Sequence, residues 1–431
     1  MRALLIAALT FLIGTNSLWA VGTGAFTNQV VGSKALGMGN AFVATADDPS
    51  AVFFNPAGLT QLESPEISFG LAPHFYATTY QLDNGNKDRT QDVNPIVPNL
   101  YAAVPFQQGK WAVGLGVNFP LGLVTKWGDN SPLRYVATET SLRVTQVSPT
   151  LSYKVNDSFS VGAGFIYSRI DADLKSRINL SGFNGGAAIP DGGKELKGDG
   201  TGFGYTASAL YHFLDHHSVG INYHSTINTR IKGTVELTDL NDSVFKSVFG
   251  GTKYSVNTET DLDLPETLMF GYAFHYNQWT VESDLEWVDY AFVSELPLNF
   301  SGESDATRLS ILNAYDKKRD YHSVWNFGFG TNYKFNETWQ ARGGFYYFPS
   351  VVPEHTWDPS IPDSARTAFT FGGSYTYSFL TVDLAYNLAI FHDRTIHNDV
   401  GALAKGDVDG QYSTTAHIIS LNLTYKFNTK L

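Results

Sequence analysis

Few side chains in this sequence are spaced for chemistry. Three histidines, His212, His216 and His217, stand close enough together to suggest a metal site. On a strand and the turn after it they would not share one face, so we expect no metal there. Two acidic segments, 83–86 and 407–410, resemble pieces of cation-binding loops but lack the remaining ligands. Their composition favours solvated turns.

Catalysis and nucleotide binding are not indicated either. Gly37 and Gly39 follow no predicted strand, so their spacing does not predict a dinucleotide site. The 431 residues include no Cys, which excludes thiolate chemistry, and we find no Ser-His-Asp arrangement. A formal net charge of -12 argues against nucleic acid as a partner, since phosphate binding needs a clustered basic surface. We therefore predict a protein that is not an enzyme and uses no cofactor.

The second half of the chain alternates instead between apolar and polar residues. In the run 279–287, one side carries two Trp, one Val and one Leu, and the other carries Glu282, Asp284 and Glu286. The same period recurs at 325–335, 382–388 and 419–427. A two-residue period is typical of strands, and a run of about nine to eleven residues is long enough to cross a bilayer as a tilted strand.

The first residues predict export. Residues 1–20 have a basic start at Arg2, an apolar core and a small residue, Ala20, which together indicate a secretory signal peptide. Beyond it, no apolar stretch approaches the roughly 18 residues that a membrane helix needs. If the exported chain spans a membrane, it must do so with strands.

Short links and long links alternate between the runs. Six short and seven long links would join about fourteen strands within residues 65–431. The short links are 107–110, 155–158, 214–217, 276–278, 335–338 and 378–380. The long links lie near 80–95, 125–140, 171–200, 233–264, 291–321, 349–366 and 393–411. This asymmetry predicts a transmembrane antiparallel β-barrel in the outer membrane of a Gram-negative bacterium, with short periplasmic turns and long extracellular loops.

The two faces of the predicted strands fit a closed barrel, because every backbone group in hydrocarbon must be paired. The expected outer, apolar face includes Trp325, Phe327, Phe329, Phe369, Phe371, Leu421 and Leu423. Aromatic residues at strand ends, such as Trp111, Trp279 and Trp339, would form the interfacial girdles. The charged side that carries Glu282 would face a wet lumen.

Residues 21–64 lack the two-residue period and have the composition of short helices joined by Gly. Asp48 is a suitable N-cap before Pro49, and Asn55 should end that helix because it precedes Pro56. A barrel of about fourteen strands has a lumen too wide for its own side chains to fill. We therefore expect residues 21–64 to form a hatch that plugs the lumen.

Several segments carry a resemblance through their order and spacing. They are 37–42, 46–51 and 55–59 in the hatch, and 117–127, 134–135, 149–155, 160–164 and 361–366 beyond it. Together they resemble the outer-membrane long-chain fatty acid transporter family (FadL/TodX/OmpP1 type), from about residue 21 to the C-terminus. The resemblance implies a fourteen-stranded barrel with a hatch that carries hydrophobic molecules inward without an energy source. It also implies that Asn55, Pro56 and Ala57 of the hatch matter for transport.

A short helix in the loop 233–264 is a candidate for ligand capture. Val244, Phe245, Val248 and Phe249 would lie on one side of it and, with apolar residues of the preceding long loop, would form an external groove. The alternative is a loop helix that only packs against its own loop. The sequence leaves both alternatives open.

The third predicted strand is a candidate for a side opening. Pro120 cannot donate to the ladder, and glycines near it permit bends. With Asn118 and Phe119 it would form a kink through which a ligand leaves into the bilayer, as the resemblance also implies. The alternative is an ordinary bulge or strand end.

Four basic residues are candidates for binding a carboxylate head group. Arg169, Lys175 and Arg177 lie where the fifth strand enters its long loop, and Arg342 points inward on the eleventh. The alternative for each is an ion pair with a nearby carboxylate such as Asp171 or Glu282.

These features predict an outer-membrane transport protein for hydrophobic compounds, chiefly long-chain fatty acids, that works by passive diffusion with lateral release. An aromatic hydrocarbon uptake channel of the same family is the alternative, because both substrates need apolar walls. A general porin would have no hatch, and a barrel enzyme would need a nucleophile beside a His at the outer rim. The expected partners are the hydrophobic substrate, outer-membrane lipid and lipopolysaccharide, and we expect a monomer.

Overall fold

The computed structural model of the chain describes residues 30–186, 188–314, 318–402 and 407–428. The predicted signal peptide and residues 21–29 of the predicted hatch lie outside the described residues. Among the described residues, no helix is both long enough and apolar enough to cross a membrane.

The described residues form nineteen strands, which belong to one sheet. In chain order they are β1 (Glu66–Leu82), β2 (Lys87–Arg89), β3 (Ile96–Phe106), β4 (Trp111–Lys126), β5 (Glu139–Asn156), β6 (Phe159–Ile178), β7 (Gly192–Phe213), β8 (His217–His224), β9 (Arg230–Thr238), β10 (Tyr254–Asp261), β11 (Thr267–Tyr276), β12 (Trp279–Val288), β13 (Asn299–Phe300), β14 (Val324–Lys334), β15 (Trp339–Phe348), β16 (Arg366–Tyr377), β17 (Leu380–Phe391), β18 (Arg394–Ile396) and β19 (Gly410–Lys426). Five of them, β2, β9, β10, β13 and β18, lie in the long loops. The other fourteen form an antiparallel barrel, as predicted.

The barrel closes between its first and last strands. β1 pairs with β19 from Glu66 opposite Lys426 to Leu82 opposite Gly410. Closure leaves no sheet edge whose backbone groups would face hydrocarbon unpaired. The six predicted short links are confirmed, and they alternate with the seven long ones. Several of these tight turns contain residues with positive φ, including Gln107, Leu214 and Ser378.

Some strands are much longer than the sequence pattern predicted. β6 has 20 residues and β7 has 22, so most of the expected long link 171–200 is strand. The outer part of β7 continues beyond the barrel wall and pairs with the loop strand β9, from Gly193 opposite Thr238 to Asp199 opposite Lys232. Along β7 the outward residues change from aromatic at Phe203 to charged at Asp199. This change places residues 192–199 outside the hydrocarbon layer.

The outward faces are apolar, as predicted. Trp325 is 53% exposed and Phe371 61% exposed, which for large apolar side chains indicates contact with lipid. At the short-turn end, Trp279 stacks beside Tyr333 with ring centroids 4.6 Å apart. Trp339 makes the same cross-strand contact on the neighbouring strand pair. These pairs form the expected aromatic girdle.

The helices are short. They are α1 (Ser33–Gly37), α2 (Ala51–Phe54), α3 (Leu180–Phe183), α4 (Ser243–Phe249) and α5 (Ala306–Leu312), with 3-10 turns at Pro56–Gln61, Pro132–Tyr135 and Glu354–Thr356. As predicted, α2 stops before Asn55, whose backbone is extended with φ -168°. Asp48 Oδ1 accepts from the Ser50 amide at 2.8 Å, as an N-cap before Pro49 would, but the first turn is closed by three-residue hydrogen bonds, so α2 itself begins only at Ala51.

The described part of the hatch fills the lumen. Met38, Phe42 and Leu59 are fully buried and share one apolar cluster with Tyr101 and Ala103 of β3. α1 contacts β15, β16, β17 and β19, and the turn Pro56–Gln61 contacts strands from β3 to β7. The plug expected from the sequence therefore contacts two separate parts of the inner barrel wall.

Candidate functional site

Two carboxylates on β12 hold the backbone of the hatch. Asp284 Oδ2 accepts hydrogen bonds from the amides of Phe42 at 2.7 Å and Val43 at 2.9 Å. Glu282 accepts from the amide of Ala44 at 2.6 Å and from that of Thr45 at 3.1 Å. The sequence suggested that these carboxylates would face a wet lumen, and that expectation is wrong. They are buried because the hatch supplies the donors that water would otherwise supply.

The Asn-Pro-Ala segment joins the hatch to another part of the barrel wall, at β5 and β7. The Asn55 amide donates to the carbonyl of Val43 at 2.8 Å and to that of Ala209 on β7 at 3.1 Å. Its side-chain oxygen accepts from the amide of Ala57 at 3.2 Å. The carbonyl of Pro56 accepts from Ser152 on β5 at 2.5 Å. This segment therefore fixes two hatch turns to each other and to two strands.

Glycines on the inner face of the barrel permit the hatch to lie this close. A Cβ on Gly330 would stand 2.1 Å from the carbonyl oxygen of Met38, and one on Gly344 would stand 2.6 Å from the amide of Gly39. Both distances are far below van der Waals contact, so a side chain at either position would displace the hatch. Sequence reasoning missed this contact, although glycine at inward positions of alternating strands was the available signal.

The wall of the barrel is interrupted beside the hatch. β3 pairs with β4 only as far as Leu100 opposite Val117, and the remaining residues of β3 pair with β1 alone. On its other side, β4 pairs with β5 through a register shift between Asn118 and Leu121. The shift leaves one extra residue on β4, which is a β-bulge. The structure thus contains both the bulge and a break between β3 and β4.

The residues of the predicted kink lie at this break. The Asn118 amide donates to the Tyr101 hydroxyl at 3.2 Å. Phe119 is buried and packs in one cluster with Leu36 of the hatch. Pro120 lines a small cavity together with Phe53 of the hatch. The break in the wall and the inner surface of the hatch are therefore neighbours.

A larger cavity lies at the outer end of the barrel, between β5, β6, β7 and the long loops. Its walls are mostly apolar, and they include Leu142, Leu174, Leu196, Ile231, Leu262 and Leu296. Three basic residues also line it: Lys175, Arg177 and Lys194. A cavity with apolar walls and a few cationic groups is suited to an amphipathic ligand.

Lys194 differs from its basic neighbours because no described carboxylate pairs with its ammonium. Its ammonium donates to the carbonyl of Leu312 at 2.7 Å, and among the described residues no carboxylate lies within 4.0 Å of it. Lys175, by contrast, lies 3.3 Å from Glu139 and 3.7 Å from Glu195. Desolvation lowers the pKa of Lys194 to about 8. Sequence reasoning missed Lys194, whose only signal is its inward position two residues before Leu196.

The four predicted head-group residues are not all brought together. Arg177 lines the outer cavity and donates to the carbonyl of Asp191 at 3.1 Å. Arg169 lies on the outer side of β6 and pairs with Asp171 at 3.0 Å. Arg342 is buried beside the hatch and pairs with Asp383 at 2.8 Å. Of the four, only Arg177 and Lys175 line the outer cavity, and Lys175 is already paired with Glu139.

The loop helix α4 packs against its own hairpin, against the preceding long loop at Leu180 and against α5 at Ile311. Phe245 and Phe249 are buried in a cluster with Leu237 of β9, and Val248 packs partly against it. Val244, expected on the same face, is 50% exposed. None of these four residues lines the outer cavity. Phe245 and Phe249 are four residues apart and share the buried face of the helix, whereas Val244 lies about 100° around the helix from Phe245 and points away from it.

Comparison with known proteins identifies the family. The family model described as outer membrane protein transport protein (OMPP1/FadL/TodX) matches residues 15–427. A long-chain fatty acid transport protein of Escherichia coli O6:H1 is 26% identical over 405 residues, which cover 86% of this chain and 87% of that protein. Outer membrane protein P1 of Haemophilus influenzae is 23% identical over 95% of this chain and 97% of its own length. The resemblance seen in the sequence is therefore confirmed.

Solved structures share the fold. A FadL homologue of Pseudomonas aeruginosa has a TM-score of 0.81 and 22% identity, over 94% of this chain and 100% of that one. The toluene transporter TodX of Pseudomonas putida has a TM-score of 0.68 and 16% identity, over 95% of this chain and 99% of that one. Members of this family are transporters and channels rather than enzymes. The chain belongs to the OMPP1/FadL/TodX family and is an outer-membrane β-barrel that transports hydrophobic compounds.

Proposed function

We propose that the protein carries long-chain fatty acids inward across the outer membrane by passive diffusion. The observation that carries this proposal is Lys194, a lysine without a described carboxylate partner in an apolar outer cavity. An unpaired ammonium is costly to desolvate, and the carboxylate of a fatty acid would offset that cost. Arg177 lines the same cavity and would strengthen the attraction.

The apolar walls would supply most of the affinity. Burial contributes about 0.8 kcal/mol per CH2, so a long acyl tail is captured by contact alone. The tail would lie along Leu174, Leu196 and Leu262, while the head group stays near Lys194. α4 itself would support the loops around the cavity rather than touch the ligand, because none of its apolar residues lines the cavity.

We propose that the ligand then moves along the hatch and leaves through the barrel wall. The break between β3 and β4 beside Asn118, Phe119 and Pro120 is the exit that this route requires. It adjoins the cavity lined by Pro120 and Phe53. Asn55, Pro56 and Ala57 would fix the hatch while the ligand passes. Outer-membrane lipid would receive the ligand, and lipopolysaccharide would surround the outer cavity.

An aromatic hydrocarbon is the second candidate substrate, because TodX is named a toluene transporter and apolar walls suit either ligand. Lys194 favours the fatty acid, since toluene has no group for an ammonium to bind. A general porin is opposed by the hatch, which fills the lumen with Met38, Phe42 and Leu59.

Uptake by proteoliposomes tests the choice of substrate. We expect labelled oleate to enter faster than toluene, and Lys194→Gln to slow oleate entry without affecting toluene. Lys197→Gln is the matched control, because Lys197 lies on the same strand but faces outward and pairs with Glu195 at 2.6 Å. Toluene entry without oleate entry would instead support the aromatic hydrocarbon channel.

We also propose that residues 1–20 are a signal peptide, that the hatch reaches from residue 21 to 64, and that the transporter is a monomer. N-terminal sequencing of the protein from outer membranes tests the first point. Cross-linking in native membranes tests the last, and a specific cross-linked oligomer would contradict it.

A further inference from the structure

Three long-loop residues converge at the outer end of the barrel. Asp83 follows the last residue of β1, Asp409 precedes the first residue of β19, and His397 follows β18. The sequence suggested that the segments around both aspartates were solvated turns. The structure brings the aspartates together because Leu82 pairs with Gly410 at the end of the β1–β19 ladder. The Asp83 amide accordingly donates to the Asp409 carbonyl at 3.1 Å.

The side chains of these residues present three ligand atoms to one point. His397 Nδ1 lies 3.3 Å from Asp83 Oδ2 and 4.0 Å from Asp409 Oδ2. One ligand atom from each residue lies within 4.8 Å of the other two. Atoms that bind one zinc ion at about 2.0–2.2 Å stand roughly 3–3.5 Å apart. Small side-chain rotations would therefore bring all three within bonding distance of a common ion.

The donor set indicates the kind of ion. One imidazole and two carboxylates are the donors that a borderline transition metal such as Zn2+ accepts, whereas Ca2+ takes oxygen ligands. The described residues place no Lys or Arg within 4.0 Å of either aspartate. We propose that Asp83, His397 and Asp409 form a binding site for a divalent transition metal ion on the outer face of the protein.

The backbone that carries these ligands is already held in place. Asp409 Oδ1 accepts a hydrogen bond from the Asn398 amide at 2.9 Å, which leaves Oδ2 facing His397. The side-chain NH2 group of Asn398 donates to the carbonyl of Trp357 at 3.0 Å, and Trp357 is fully buried. Metal binding would thus require little ordering of the loop.

The site also adjoins the outer cavity. Val400 and Gly401 lie between His397 and Asp409 in the chain, and both line that cavity. The Val400 amide donates to the Asn398 side chain at 2.9 Å, next to His397. A bound ion would fix the segment that forms this wall. The effect on ligand affinity rests on the proposed function, but metal binding itself does not.

Isothermal titration of the metal-free, detergent-solubilised full chain with Zn2+ tests the site. We expect one Zn2+ per chain, and we expect His397→Ala and Asp83→Asn each to weaken binding by at least ~10-fold, as loss of a direct ligand should. His355→Ala is the matched control, because exposed His355 lies 3.1 Å from a single carboxylate, that of Asp320. It should bind Zn2+ as the unaltered protein does, and Ca2+ should not compete.

Two outcomes would overturn the proposal. One is the absence of a stoichiometric Zn2+ site in the unaltered chain. The other is equal Zn2+ affinity in the unaltered, His397→Ala and Asp83→Asn proteins. Heat-modifiable mobility of each variant on gels shows whether the barrel is folded, so a folding defect is distinguished from a lost ligand.

Discussion

At the scale of single residues, Lys194 separates a carrier of carboxylates from a carrier of neutral hydrocarbons. Its ammonium bonds to the carbonyl of Leu312, and the walls of its cavity are mostly apolar. The sequence could not single it out, because one inward lysine among the charges of an outer loop carries no pattern. Asn55 was more accessible to prediction, since Asn before Pro ends a helix by local sterics.

The first prediction concerns pH. The free protein has a Lys194 pKa of about 8, and a bound carboxylate would raise that pKa. Oleate affinity should therefore be fully present below about pH 8 and fall as pH rises, because neutral lysine forms no ion pair. A charge-assisted bond contributes about 1.5–3 kcal/mol, so a loss of roughly tenfold or more is expected by pH 10.

Fluorescent fatty-acid binding between pH 6 and 10 measures this effect. Lys194→Gln should bind weakly with a flat profile, whereas Lys197→Gln should keep the profile of the unaltered protein. An unaltered protein whose affinity does not change over this range would exclude Lys194 as the head-group partner.

The second prediction concerns Asn55→Ala. The substitution removes the bonds to the carbonyls of Val43 and Ala209 and leaves buried polar groups unpaired, at a cost of about 1–3 kcal/mol to the hatch. We expect impaired oleate uptake with normal insertion into outer membranes. Asn241→Ala, at an exposed loop position, is the control. Unchanged uptake in Asn55→Ala would remove the Asn-Pro-Ala segment from the mechanism.

At the scale of elements, β12 holds the hatch, and β4 carries the bulge beside the break in the barrel wall that we propose as the exit. The sequence predicted a plug but not its attachment. Phe42 and Asp284 are 242 positions apart, and no local pattern indicates that the backbone amide of Phe42 meets the side chain of Asp284. The strand count was predictable because alternation and link length are local. The loop hairpin of β9 and β10 was not, because it forms beyond the membrane.

The third prediction tests the attachment of the hatch. The double variant Glu282→Gln, Asp284→Asn keeps the side-chain volumes but replaces one acceptor oxygen of each residue by an NH2 group, which weakens the hydrogen bonds from residues 42–45. Ion conductance through planar bilayers should rise because the hatch is held less tightly. Glu286→Gln is the matched control, since Glu286 bonds to Asn326 of the barrel and not to the hatch. Equal conductance in all three proteins would contradict the assignment.

The fourth prediction tests the exit. Deleting Pro120 removes the extra residue between Asn118 and Leu121 and should restore a regular ladder between β4 and its neighbours. Oleate uptake should then fall severalfold, while oleate affinity in the outer cavity stays unchanged because none of these residues lines it. Normal uptake by a folded deletion variant would show that the ligand leaves by another route.

At the scale of the whole molecule, the barrel is a closed cylinder whose lumen is filled by the described residues of the hatch. The fold class and the location in an outer membrane were predictable, because backbone hydrogen bonding in hydrocarbon requires a membrane-spanning sheet to close. The surroundings of Lys194 and the metal-ligand group were not predictable, because each is assembled from distant segments. Asp83 and Asp409 meet through the pairing of the first and last strands, and His397 joins them through the pairing of β18 with β19.

The central claim is that hydrophobic ligands cross this barrel while its bore stays closed to polar solutes. Flux of labelled oleate and of a labelled disaccharide, measured in the same proteoliposomes, tests it most directly. We expect rapid oleate entry and disaccharide entry no faster than in protein-free vesicles. Rapid disaccharide entry without oleate entry would contradict the account.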